Sequence, residues 1–289
     1  MKNDLRYPAK ICVLILSFAL LIFGGAFAGT AKDAVDTGLD YELDYKYDEA
    51  ISEFNKAIEI DPSYAKAYFE RGYVYYEQKN YDQAISDYTQ AINLAPNDKW
   101  TYYERGFTYY DKGDYDNAIS DYTKCIEIDP EFSKAYFERG YTYYDKEEYD
   151  KAVSDYTKAI EITPAYAAAY YERGLAYYEL YDNDQAISDY TKAIEIDPKH
   201  KKAYYERGYT YMEDESYYLA ISDLTSAIDI DPNYGAAYYE RANAYYYTSD
   251  YDKAWEDEHK AKALGIDVSS SFLEKLKDAS GRDETGRDE

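Results

Sequence analysis

The sequence predicts an all-α protein, a solenoid of antiparallel helix pairs, and three observations predict it. Pro62, Pro96, Pro130, Pro164, Pro198 and Pro232 follow one another at a fixed interval of 34 residues, and a period of that size marks a repeat array. Inside one period the helical spacing occurs twice: Tyr204, Gly208 and Tyr211 lie four and three apart, and so do Ala220, Leu224 and Ala227. Finally, 43 of the 289 residues are tyrosine, an excess over ordinary usage that repetition of one tyrosine-rich unit explains.

The elements follow in chain order. Lys2, Arg6 and Lys10 precede an apolar run from Ile11 to Ala28 that ends in Ala26-Phe27-Ala28, so residues 1–28 read as a secretory signal peptide. An uncleaved N-terminal anchor is the competing reading, because about 20 apolar residues span a bilayer. Either way the protein is expected to be exported, as a periplasmic, secreted or envelope-associated chain, with membrane contact only if the segment stays. Cys12 would leave with a cleaved signal, and Cys125 alone excludes a disulfide within one mature chain.

Seven units then run without insertion over 31–64, 65–98, 99–132, 133–166, 167–200, 201–234 and 235–268. Each is expected to form two helices. Asn80, Asp114, Asp182, Ser216 and Asp250 offer N-cap side chains between them, and each proline stops a second helix. Gly72, Gly106, Gly140, Gly174 and Gly208 permit close helix approach, as do Ala91, Ala159, Ala193 and Ala227; Cys125 in the same series reads as a small buried filler. Phe272, Leu273 and Leu276 give residues 269–279 the pattern of a capping helix, which leaves 280–289 as a disordered acidic tail.

The unit AYFERGYTYYDKEEYDKAVSDYTKAIEITP resembles the tetratricopeptide repeat. The resemblance covers residues 31–268; Tyr68, Gly72, Tyr75, Tyr81, Ala84, Tyr88, Ala91 and Pro96 fall on its signature places. It implies a right-handed superhelical solenoid that works by protein–protein interaction rather than catalysis. Departures stand at Asn183 and Glu258, which replace signature tyrosines, and at Arg71, Arg105, Arg139, Arg173, Arg207 and Arg241, where the family usually has leucine. Each of those arginines shares its unit with an aspartate: Asp87, Asp121, Asp155, Asp189, Asp223 or Asp257. Structural ion pairs are expected, since a guanidinium in an apolar place needs a carboxylate to offset its desolvation.

A formal charge of -26 argues against nucleic acid, whose binding rests on cations neutralising phosphates. The exported part carries no Gly-rich phosphate loop, nucleophile elbow or paired metal ligands. No cofactor, metal or small-molecule substrate is therefore expected, and His200 and His259 read as solvated surface residues.

One aromatic stripe lies a residue, hence about 100°, beyond the expected core line of Tyr204 and Gly208. It runs through Phe69, Tyr73, Tyr76, Tyr103, Phe107, Tyr110, Phe137, Tyr141, Tyr144, Tyr171, Tyr178, Tyr205, Tyr209, Tyr239 and Tyr246, edged by Glu77, Asp111, Asp145, Glu179 and Glu213. By resemblance these places line a concave groove. Such a surface suits a protein or peptide that is Pro-rich, aromatic or basic. Two alternatives stay open: the rings pack on the neighbouring unit, or the solenoid is a structural scaffold subunit of an envelope-associated complex.

Overall fold

The computed structural model describes residues 29–282; the segment read as signal or anchor, 1–28, and residues 283–289 lie outside them. Fifteen helices run through the described residues. In pairs they are α1 (Ala31–Leu43) and α2 (Tyr47–Ile60), α3 (Ala65–Glu77) and α4 (Tyr81–Leu94), α5 (Lys99–Lys112) and α6 (Tyr115–Ile128), and α7 (Ser133–Asp145) and α8 (Tyr149–Ile162). There follow α9 (Ala167–Glu179) and α10 (Asn183–Ile196), α11 (Lys201–Glu213) and α12 (Tyr217–Ile230), α13 (Gly235–Tyr247) and α14 (Tyr251–Ala263), and finally α15 (Ser270–Ser280).

Local chemistry fixes both turns of each unit. The first helix closes on one left-handed residue, at Tyr45, Lys79, Gly113, Glu147, Tyr181, Glu215 and Ser249. The Lys79 N–H donates to the Tyr76 carbonyl and the Asn80 N–H to the Tyr75 carbonyl, each at 2.8 Å, which satisfies the carbonyls left over at the helix end. Capping by side chains is sparser than expected. Asp114 and Asp182 accept from the Asn117 and Gln185 N–H groups, whereas Asn80, Ser216 and Asp250 cap nothing; the Asp250 carboxylate instead takes Lys253 at 2.5 Å. Second helices end two residues before each proline, as at Ile60 and Pro62, where the pre-proline residue leaves the helical region.

Every first helix packs against its own second helix, and every second helix against the next unit's first. Successive first helices also touch, from α1 with α3 to α11 with α13, while no comparable contact joins successive second helices among the described residues. The first helices therefore form the inner layer of a curved ribbon.

The core sits on the second helices. Phe54, Tyr88, Tyr122, Tyr156, Tyr190 and Leu224 are fully buried there, opposite a small residue of the partner helix. A Cβ on Gly72, Gly106 or Gly140 would come 3.0 Å from the facing ring, and on Gly174 2.6 Å, so ring and glycine require each other. In the seventh unit both change: Ala242 stands for the glycine and Glu258, fully buried, for the ring, with Lys262 Nζ 2.8 Å from its carboxylate. The line expected to be core, Tyr204 and Tyr211, is only half-buried, as is Tyr143 at the place of Tyr211 in the fourth unit; Tyr204 covers a guanidinium described below and Tyr143 lies against Lys151. Cys125 is buried with its Sγ donating to the Lys99 carbonyl, and burial pushes its thiol up to about 12, which removes it from thiolate chemistry.

At the C-terminus the ordered chain extends beyond the expected boundary. Phe272 and Leu276 of α15 are buried, Ser280 is still helical and accepts the Trp255 Nε1–H at 3.1 Å, and Arg282 pairs with Asp252. A tail beginning at Ser280 is thus corrected: two polar anchors hold residues 280–282 on α14.

Candidate functional site

Two seams flank each first helix, and they use tyrosine in different ways. On the outer seam, Arg71 grips Asp87 with Nε and Nη2, both at 2.7 Å. The same paired bonds, 2.7–2.8 Å, join Arg105 to Asp121, Arg139 to Asp155, Arg173 to Asp189, Arg207 to Asp223 and Arg241 to Asp257. The third arm, Nη1, reaches back into the preceding unit, to Asn55 at 2.5 Å and to Thr89, Thr123, Thr157, Thr191 and Thr225 at 2.8–3.0 Å. Tyr68, Tyr102, Tyr136, Tyr170, Tyr204 and Tyr238 lie over the guanidinium carbons at 5.5–5.8 Å. Each arginine thus ties three helices together under an aromatic cover, in the planar, bidentate mode that lysine could not reproduce. The aspartates are 4–8% exposed, so the pairs are desolvated and have little left to offer a ligand.

On the inner seam the expected stripe divides in two. Its first ring in each unit, Phe69, Tyr103, Phe137, Tyr171, Tyr205 or Tyr239, packs towards the core. Tyr103 and Tyr171 are buried, which corrects their assignment to an open groove wall. Trp100 and Phe132 cover Tyr103 at 6.1 and 5.5 Å, and His200 covers Tyr171 at 4.8 Å. His200 is accordingly no solvated histidine: it is half-buried, Nδ1 accepts the Ala203 N–H at 3.2 Å, and burial lowers its pKa.

Further along, Tyr73, Tyr76, Phe107, Tyr110, Tyr141, Tyr144, Tyr178, Tyr209 and Tyr246 keep one half-exposed face and lean on the next unit. Tyr76 meets Phe107 at 6.0 Å, Tyr110 meets Tyr141 at 5.8 Å and Tyr178 meets Tyr209 at 6.1 Å. Their hydroxyls donate to the acidic edge of that next unit: Tyr76 to Asp111 at 2.5 Å, Tyr110 to Asp145, Tyr144 to Glu179 at 3.5 Å and Tyr178 to Glu213 at 2.8 Å. Phe272 takes the neighbour's part at the end, 5.8 Å from Tyr239 and 6.1 Å from Tyr246. These rings therefore serve the seam and also present a surface.

A file of carboxylates between the rings escaped the sequence reading. Glu70, Glu104, Glu138, Glu172, Glu206 and Glu240 occupy one place in successive first helices. Burial pushes the carboxyls of Glu172, Glu206 and Glu240 up to about 7; Lys202 opposes the shift at Glu172 and Glu206, while Asn243 opposes it at Glu240. Asp145, Glu138 and Glu206 raise Glu172 further. Lysine stands one turn before Glu138 and Glu206, as Lys134 and Lys202, but Trp100, Ala168 and Ala236 stand before Glu104, Glu172 and Glu240. The signal that could have found the file was a glutamate preceding every one of the six arginines, masked because the arginine itself drew the explanation.

Sequence profiles described as TPR repeat match residues 46–79, 72–113 and 140–180, and profiles described as tetratricopeptide repeat match 100–132, 121–154, 167–200 and 201–234. The chain belongs to the tetratricopeptide repeat family. A comparison with curated proteins found no match. Among solved structures, the tetratricopeptide array is similar to a crystal structure of MamA protein, with 26% identity over 60% of this chain and 94% of that one, at a TM-score of 0.55. It is equally similar to YrrB, described as a TPR protein with an unusual peptide-binding site, with 26% identity over 64% of this chain and 95% of that one, TM-score 0.55. The C-terminal part of a TPR repeat-containing protein from Cytophaga hutchinsonii shares the fold at TM-score 0.71, with 23% identity, covering 84% of this chain and 99% of that one. The shared ground is a protein-interaction scaffold.

Proposed function

We propose that this tetratricopeptide array is an exported interaction module whose inner face binds a polypeptide segment carrying lysine or arginine between apolar or proline residues. The observation that carries this reading is the carboxylate file of Glu172, Glu206 and Glu240, held near pKa 7 between half-exposed rings with Lys202 as its chief local cation. A bound cation would offset the cost that burial imposes on those carboxylates, and the ring faces add stacking and cation–π contact. The likeness to YrrB, a TPR protein with an unusual peptide-binding site, supports a peptide over a folded ligand. Export rests on the N-terminal charge and apolar pattern alone.

Peptides selected on the full chain from a displayed random library test the reading. Binders are expected to be enriched in lysine and arginine and to lose about tenfold or more in affinity, about 1.4 kcal/mol, on a Glu172→Lys/Glu240→Lys variant, with tighter binding at pH 8 than at pH 6. Binders lacking cations, or indifferent to charge reversal, would overturn it.

A further inference from the structure

Each unit serves as a control for the others on the edge formed by the turns between first and second helices. There the second helix opens with a tyrosine or asparagine followed by aspartate and a polar residue: Asp82-Gln83, Asp116-Asn117, Asp150-Lys151, Asp184-Gln185 and Asp252-Lys253. The sixth unit has Tyr218-Leu219 instead. Both are strongly exposed, at 79% and 53%, so burial does not account for them.

The seam beside them has changed as well. At two seams of this edge that aspartate holds a lysine of the next unit, Asp82 with Lys112 at 2.7 Å and Asp116 with Lys146 at 2.5 Å, while Leu180 and Asp214 occupy the lysine's place at the two seams that follow. Between the sixth and seventh units both partners are gone: Tyr218 stands for the aspartate and Thr248 for the lysine. Two rings replace the ion pair, Tyr217 stacked on Tyr247 with centroids 4.7 Å apart and planes within 6°, and Tyr247 keeps 53% of its surface exposed. Tyr218 and Leu219 thus put apolar side chains at positions that are polar in the other units, beside the stacked Tyr217, and Tyr247 stands where the second to sixth units have a carboxylate. The turn edge also exposes Leu43 and Tyr45 in the first unit and Leu180 and Tyr181 in the fifth, but here two rings stack across the seam between units. Tyr217, Tyr218, Leu219 and Tyr247 lie on the turn edge rather than on the inner face. Contiguous exposed apolar surface of this kind marks interaction sites.

Charge selects the occupant. Asp184, Asp214 and Glu215 are exposed on the fifth-unit side, where Asn183 Nδ2 donates to Asp214 at 3.1 Å. On the other side Asp250 lies beside Lys253. A second copy would bring the same acidic rim, and an anionic lipid surface would be repelled by it. We propose that this patch is a second docking surface, separate from the inner face, for a protein segment whose apolar side chains are flanked by lysine or arginine. The array then holds two partners at once and works as a bridge.

The test uses the full chain and a displayed random peptide library, counter-selected against Tyr218→Asp/Leu219→Lys. That variant carries the Asp-Lys pair native to the fourth and seventh units, so its circular dichroism and melting are expected to match the unaltered protein; Leu219→Gln alone, also a residue found at that place, is the milder second variant. Surviving peptides are expected to place apolar residues beside lysine or arginine and to bind the double variant about tenfold or more weakly. They should bind Glu172→Lys/Glu240→Lys like the unaltered protein, which separates this surface from the inner one. Four results would overturn the proposal. They are no peptide dependent on Tyr218 and Leu219, dependent peptides that are acidic, a dimer by ultracentrifugation that the double variant abolishes, and phosphatidylglycerol-vesicle binding that it abolishes.

Discussion

The outer and inner seams of the first helices are built from the same residue types, tyrosine and carboxylate, yet end in opposite electrostatic states. Outside, each aspartate meets a guanidinium through two bonds and the ring closes over the pair. Inside, Glu172, Glu206 and Glu240 share Lys202 and Asn243, and the rings stand half open beside them. A satisfied, covered ion pair has nothing left to bind, whereas a buried carboxylate short of cations keeps an unmet demand. Where the arginine is placed thus gives two faces of one helix different electrostatic states, and the binding proposed above is assigned to the inner one.

Breaking the closed seam should produce the largest effect. Arg139→Ala leaves Asp155 buried without its cation and removes the bond to Thr123, and is expected to destabilise the array by about 3–5 kcal/mol, read by denaturant unfolding and by hydrogen exchange confined to the fourth unit and its neighbours. Replacing both partners, Arg139→Leu/Asp155→Leu, should recover most of the loss, because apolar substitution removes the desolvation cost along with the pair. If the double variant is as unstable as Arg139→Ala, the pair contributes more than mutual compensation.

A smaller gain is expected in the core beneath. The Tyr156 hydroxyl is buried with no hydrogen-bond partner among the described residues, and the first unit places Phe54 in the equivalent position. Tyr156→Phe should therefore raise stability by about 1 kcal/mol, the lower range of the cost of an unsatisfied buried polar group; a loss on thermal melting would mean that a water serves the hydroxyl.

The smallest effect sharpens the inner seam. Carboxyls held near pKa 7 in the folded chain and ionising in the ordinary range when unfolded bind more protons folded, so their contribution is fully present below about pH 4.5 and is lost as pH rises through about 7. Melting temperature should fall across that window, and Glu172→Gln/Glu206→Gln/Glu240→Gln should flatten the slope. An unchanged slope would show that the overall charge of -26, not these three groups, sets the pH dependence.

The sequence by itself determined the period, the two-helix unit, the turn-proline boundaries and the family, because each of these is a property of local spacing: 34 residues between prolines, and three and four between packed positions. The pairing of arginine with aspartate was also legible, since a charge in an apolar place demands an opposite charge in the same unit. What the tertiary structure alone decided was which tyrosine is core. Tyr88 and its equivalents sink fully because a glycine faces them across the helix pair, whereas Tyr204 stops half-way because Arg207 lies beneath it and Tyr143 because it lies against Lys151. Burial depends on what a neighbouring helix presents, and a one-dimensional period carries the angle of a side chain but not the object it meets. The same reason hid Glu172, Glu206 and Glu240, whose burial beside one another arises only once successive first helices are laid side by side.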